Sequence, residues 1–287
     1  MNIISWNIQA AKGVDGDTRV DRIAAVLEAM GDADIICCQE VMQDTASEGA
    51  DQVRQLAERF PDHEAFFGSA IDRPSAGGRL RFGNLVLSRL PVLQCLLHKL
   101  PQPADSATRN MPRQAIEVIV QRGGRPCRIV TTHLEYFSAT QRSAQVAYLA
   151  ALYRETRARA ADPALSGGPG LYASAPETEA TILCGDLNLT LDSADYRFLA
   201  GNDRDDSLLD AWPLLHPGTD RPPTCGVFDR VQWQEGPHCR DYFFVAPELA
   251  AQVSAVTVNT ETDASDHQPI MLTLSGFGVF TLSDAEG

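Results

Sequence analysis

Short apolar runs recur from one end of this 287-residue chain to the other, and they constrain its fold more than any other feature. They occupy residues 2–8, 34–40, 83–89, 114–120, 127–134, 180–188, 240–246 and 268–274. Most contain Val, Ile, Phe or Tyr and close on Gly, Pro, Asn or Asp, as β-strands do. Helical periodicity lies between some of them. In 17–31, Val20, Ile23, Leu27 and Met30 recur at three- and four-residue spacing, with Asp17 or Thr18 placed to cap the start and Gly31 just past the end. Residues 138–161 form a longer amphipathic pattern entered through Ser138 or Thr140. Strands and helices alternate throughout, which predicts an α/β or α+β fold.

A chain of this length buries a substantial core whether it forms one domain or two. Segment 162–178, DPALSGGPGLYASAPET, is rich in Gly, Pro, Ala and Ser, but strands of the same character flank it. It reads as a mobile surface loop inside a single domain spanning 1–287. No run approaches the roughly twenty apolar residues of a membrane helix. The start, MNIISWNIQ, reads as a strand and not as a signal peptide, so the expected location is cytoplasmic. The seven cysteines are odd in number and lack a Cys-x-x-Cys pair, which predicts buried free thiols.

The formal charge of −14 weighs against a protein that holds long duplexes by neutralising phosphates. The basic residues are 22 Arg and 2 Lys, clustered at 73–82, 109–113 and 122–128. Arginine's planar fork suits bidentate phosphate contacts. Genome base composition explains an Arg-rich chain equally well, so the clusters admit a phosphate site without requiring one.

The chemistry lies in the polar residues that end the apolar runs: Asn7, Glu40, His133, Asp186, Asn188, Asp241, Asp266 and His267. Taken singly, each has an ordinary explanation. Asn7 and Asn188 suit turns, Glu40 a loop cap, Asp241 a strand entry, His133 a hydrogen-bonded interior position, and Ser-Asp-His before Pro269 a surface turn. Together they predict more, because partly buried carboxylates are costly unless paired or bound to a cation. Strand ends of a packed sheet converge, so the set points to a hard-metal site in a pocket.

The runs SWNIQ, CQEV, GNLVLSRLPV, TTHLEY, GDLN, RDYFFV and SDHQPI, in this order over residues 2–274, resemble the successive motifs of the endonuclease/exonuclease/phosphatase superfamily, also called the DNase I-like fold. The resemblance implies a four-layer α/β sandwich, two mixed β-sheets packed face to face with helices on the outside. It also implies a phosphodiester or phosphomonoester hydrolase that uses Mg²⁺, with Mn²⁺ a substitute, and attack of water on phosphorus. Glu40 is then the main metal ligand, with Asn7 beside it and Asp266 near the ion or its waters. Asp186 positions or deprotonates the water, Asn188 orients it, His267 does proton chemistry or binds phosphate, Asp241 holds the His267 ring, and His133 donates to phosphate. Asp186 and His267 are interchangeable as base. Asn84, Arg81 and Arg113 are expected to contact phosphate or the cleft edge. DNA or RNA cleavage is the alternative activity, disfavoured by the acidic charge. A catalytically silent binding module on the same fold is the alternative of another kind.

Overall fold

The computed structural model describes residues 1–45, 51–162, 170–173, 175–201 and 207–276. Its architecture follows from strands that are apolar on both faces. In β1 (Asn2–Asn7), Ile3 joins a core between two sheets while Ile4 and Trp6 join a core on the outer face. β2 (Ile35–Asp44) divides the same way, Ile35 and Cys37 inward and Ile36 and Cys38 outward. The two-residue period therefore yields continuous apolar runs, because each face has a layer to pack against.

The first sheet also contains β3 (Glu64–Ser75), β4 (Gly78–Ser88), β11 (Val253–Val258) and β12 (Ile270–Leu274), in the order β11-β12-β1-β2-β4-β3. The second holds β5 (Val92–Lys99), β6 (Gln114–Arg122), β7 (Arg125–His133), β8 (Thr181–Asp186), β9 (Leu209–Asp210) and β10 (Asp241–Val245), in the order β5-β6-β7-β8-β10-β9. Both sheets are mixed, since β1 runs parallel to β2 and β7 parallel to β8. Helices α1 (Val20–Ala29) and α2 (Gln52–Arg59) cover the outer face of the first sheet through Ile23, Leu27 and Leu56. Helices α3 (Ala139–Ala160) and α4 (Ala194–Ala200) cover the second through Leu149, Tyr153 and Leu199. Helix α5 (Ala211–Leu215) adds Ala211 to the inter-sheet core. The result is the expected four-layer sandwich.

Local details depart from the sequence reading in places. Helix α1 begins after Arg19 without a side-chain cap, because Thr18 is instead paired across the backbone with Lys12. Ser138 does cap α3, its Oγ accepting from the Gln141 amide at 3.2 Å. All seven cysteines are free thiols, five buried and two partly so. Much of segment 162–178 lies outside the described residues. No helix among the described residues is long and apolar enough to cross a membrane.

One glycine brings two strands close enough to set the site's geometry. Gly185 in β8 lies opposite Thr132 in β7 with φ +135°, and a Cβ there would sit 1.9 Å from the Thr132 carbonyl oxygen. The clash is with backbone and cannot be relieved by a rotamer. Gly185→Ala is expected to destabilise the protein by about 3 kcal/mol through combined strain and overpacking. Urea unfolding of both proteins checks this, and an unchanged midpoint contradicts the close approach.

Candidate active site

The inter-sheet face that carries the core also carries the site. His133 continues the row of Ile129 and Thr131 in β7, Asp186 the row of Ile182 and Cys184 in β8, and Asp241 the row of Phe243 and Val245 in β10. The ladder places Asp186 opposite His133 on one side and opposite Asp241 on the other. Asn7 does the same for β1 in the facing sheet, following Ile3 and Ser5. Apolar residues fill the gap between the sheets until the strands end, and polar residues take over there.

Glu40 reaches this face by a different route. Alternation from Ile36 and Cys38 would aim it at the outer core, but β2 carries one extra residue relative to β4 between Cys38 and Val41. Glu40 sits at φ +57°, a left-handed conformation uncommon for a side chain of this kind, and Val41 takes the outer-core position. The Asn7 amide then donates to Glu40 Oε1 at 3.0 Å and to Asp186 Oδ2 at 2.9 Å, joining carboxylates from opposite sheets. His133 lies between the same two acids, Nδ1 3.6 Å from Glu40 Oε1 and Nε2 3.3 Å from Asp186 Oδ2.

The segment from Ser265 to Gln268 is fastened from several sides. Trp6 Nε1 donates to the His267 carbonyl at 2.9 Å, Ser265 Oγ donates to the Asn7 carbonyl at 2.7 Å, and the Gln268 amide donates to the Thr224 carbonyl at 2.6 Å. His267 Nδ1 meets Asp241 Oδ2 at 2.9 Å, which leaves Nε2 facing Asp186 Oδ2 at 3.6 Å. Thr224 Oγ1 accepts from the amides of Arg240 and Asp241, fixing the dyad from behind. Asp186 Oδ1 accepts the Asn188 amide at 3.1 Å, while Asn188 Nδ2 donates to the Leu134 carbonyl at 2.9 Å.

Burial and charge pull these groups apart in proton affinity. Burial pushes Glu40 up to about 7, with the nearby Asp266 adding to the rise. Burial also raises Asp186 and Asp266. His133 is driven well below the usual histidine range by burial first and then by Arg113 and His267, so it is a neutral imidazole. Burial alone would lower His267 as well, but Asp241, Asp186 and Asp266 outweigh it and keep the imidazolium well above the ordinary range. Asp241 Oδ1 is buried and has no hydrogen-bond partner.

Glu40, Arg113, His133, Asp186, Asn188 and His267 line one cavity of about 340 Å³, with Asn7 and Asp241 directly behind them. Other expected site residues lie elsewhere. Asn84 is buried with its amide on the Gln114 carbonyl, and Arg81 is engaged by Gln43 and Asp72; neither lines the cavity. Arg113 lines it, but with its Nε on the buried Glu135 at 3.2 Å. Asp266 Oδ2 accepts from Gln232 Nε2 at 2.6 Å and Trp233 Nε1 at 3.1 Å, so it stands behind the wall and not on it. The cavity also contains Arg109, Met111, Tyr136, Phe137, Gln232 and Trp233, which the sequence reading did not single out. Tyr136 lay within TTHLEY, and Arg109 and Met111 within the Arg cluster 109–113; Phe137, Gln232 and Trp233 sit in loops whose spacing carries no signal.

The model of the Endonuclease/Exonuclease/phosphatase family matches residues 4–267. No curated protein matches the sequence. Among solved structures, an endonuclease/exonuclease/phosphatase family protein from Bacteroides thetaiotaomicron is 18% identical with a TM-score of 0.69, covering 96% of this chain and 97% of that one. A mannosyl-6-phosphatase from the same organism is 18% identical with a TM-score of 0.67, over 96% of this chain and 99% of that one. Truncated TDP2 from Caenorhabditis elegans is 20% identical with a TM-score of 0.60, over 95% of this chain and 96% of that one. At these identities the likeness is one of fold.

The opposite shifts of the two histidines are directly measurable. In the metal-free protein, nitrogen-detected NMR is expected to show His267 still protonated above the ordinary histidine range and His133 neutral throughout. Asp241→Asn is expected to move the His267 titration downward, because it removes the largest charge favouring the imidazolium. A His267 titration unaffected by that substitution contradicts the dyad.

Proposed function

Since this chain belongs to the endonuclease/exonuclease/phosphatase family, and since acids, an amide and two imidazoles from both sheets converge on one cavity, we propose that it is a metal-dependent phosphoesterase hydrolysing small phosphomonoesters or phosphodiesters. The observation that carries this reading is the shared Asn7 amide. It holds a buried Asp186 and a half-buried Glu40 together although both are raised, an oxygen-rich arrangement that a divalent cation would stabilise. The donors are hard oxygens, which fit Mg²⁺ or Mn²⁺. Glu40 would hold the ion with Asn7 and Asp186 adjacent; Asp266, occupied by Gln232 and Trp233, would set the local charge and not ligate directly. When bound, such an ion supplies neutralisation of the phosphoryl oxygens.

The protein's own groups divide the remaining work. His267, held protonated by Asp241, donates from Nε2 to a phosphoryl or leaving-group oxygen. Asp186 accepts the proton of the attacking water, and Asn188 orients that water. Neutral His133 gives a further hydrogen bond to phosphate. The cavity volume suits a small ester better than a duplex, and the acidic charge agrees. We place the whole chain in one catalytic domain, and its free thiols fit the reducing cytoplasm.

Turnover of a panel of phosphate esters, short oligonucleotides included, tests the reading. Activity is expected with Mg²⁺ or Mn²⁺ and not with EDTA, with Glu40→Gln and His267→Asn each lowering kcat/KM about 10²–10⁴-fold while the fold survives by circular dichroism. Metal-independent turnover, or none across the panel, sinks it. A second check uses the proton on Glu40. Because its carboxyl holds a proton up to about pH 7, a cation must displace that proton. Calorimetric Mg²⁺ affinity should thus weaken about tenfold from pH 8 to pH 6, and Glu40→Gln should abolish that slope.

A further inference from the structure

The cavity has a second wall that the hydrolytic groups do not use. Trp233 meets the His267 ring edge to face at 5.5 Å, Tyr136 meets Trp233 at 5.7 Å, and Phe137 meets Tyr136 at 4.8 Å. The Arg109 guanidinium closes the row, 4.0 Å from the centre of the Phe137 ring. A ladder of aromatic edges and faces thus runs from the histidine toward the exposed mouth of the cavity.

Arg109 differs from the cavity's other arginine. Arg113 is buried and its charge is matched by Glu135, whereas Arg109 has no carboxylate partner among the described residues. The loop that carries it is tied down nonetheless. Asn110 donates to the carbonyls of Asp105 and Thr108 and accepts from Gln102, Asp105 accepts from Ser138 at 2.5 Å, and the Met111 amide donates to Glu135. A cation held over a ring, on a pinned loop, facing a cavity and without a partner is preorganised for an anion.

We propose that Arg109 is a specificity-determining residue that receives a second anionic group, a carboxylate or a further phosphate, on a small phosphate ester whose organic part lies along the aromatic wall. This rests on the phosphoesterase reading and names its substrate class. The scissile phosphate sits among Asp186, His133 and His267, and the second charge sits at the other end of the ladder.

Phosphate release from phenyl phosphate, 4-carboxyphenyl phosphate and 1,4-phenylene bisphosphate tests the proposal and separates the two kinds of second anion. The wild-type protein is expected to favour at least one ester bearing a second anionic group over phenyl phosphate by about tenfold in kcat/KM, the size of one charge-assisted hydrogen bond. Arg109→Gln is expected to bring that ratio close to one, and Arg109→Lys to retain part of it. An absent preference, or one that Arg109→Gln leaves intact, overturns the proposal. Calorimetric titration in Mg²⁺ with phenylphosphonate and 4-phosphonobenzoate reads the same ratio without turnover. Tighter binding of 4-phosphonobenzoate, lost in Arg109→Gln, supports the anion site even where no ester is hydrolysed, an outcome that would count against the phosphoesterase reading alone; equal binding of the two phosphonates by the wild type counts against the anion site.

Discussion

Carboxylates from two different sheets share the two hydrogens of one amide, and that sharing organises the molecule's polar end. Glu40 belongs to the first sheet and Asp186 to the second, and Asn7 donates to both. Holding a buried and a half-buried acid this close is unfavourable without positive charge nearby. The structure answers with hydrogen bonds from the amide, with His133 set between the two acids and with the imidazolium of His267 beside Asp186. Beneath them Gln39 repeats the device, its amide donating to Ser5 on one sheet and Thr131 on the other. The sandwich is apolar in the middle and hydrogen-bonded between the sheets at this end.

The sequence reading found every interior strand and missed every edge. β1, β2, β4, β6, β7, β8, β10 and β12 are flanked on both sides, whereas β11, β3, β5 and β9 border the sheets. Interior strands are covered on two faces and read as unbroken apolar runs; the edges alternate with polar residues and lose that signature. Val92–Lys99 of β5, for instance, mixes Leu96 and Leu97, both exposed, with Gln94 and His98.

The site was legible for a related reason, and illegible where that reason fails. Asn7, His133, Asp186 and Asp241 are the terminal residues of apolar runs, so the strand period assigns them to the same face as the core. Asn84 and Arg81 also lie in a strand, but their side chains are used by Gln114, Gln43 and Asp72. Asp266 is adjacent to the key histidine in sequence, yet two donors from residues 232 and 233 claim it. Those donors come from a loop without periodicity, as do Arg109 and Phe137. The acid side of the cavity was therefore readable and the aromatic side was not.

The extra residue in β2 changes how the chain counts on either side of Glu40. Before it, even-numbered positions face the helices; after it, Val41 does. Parity is restored to the outer core only because one carboxylate has been spliced out of the alternation. Losing a single position between 38 and 41 would restore plain alternation and keep the strand hydrogen-bonded, but at a chemical cost: either the acid itself would go, or it would take the inward place of Gln39, whose amide ties Ser5 to Thr131.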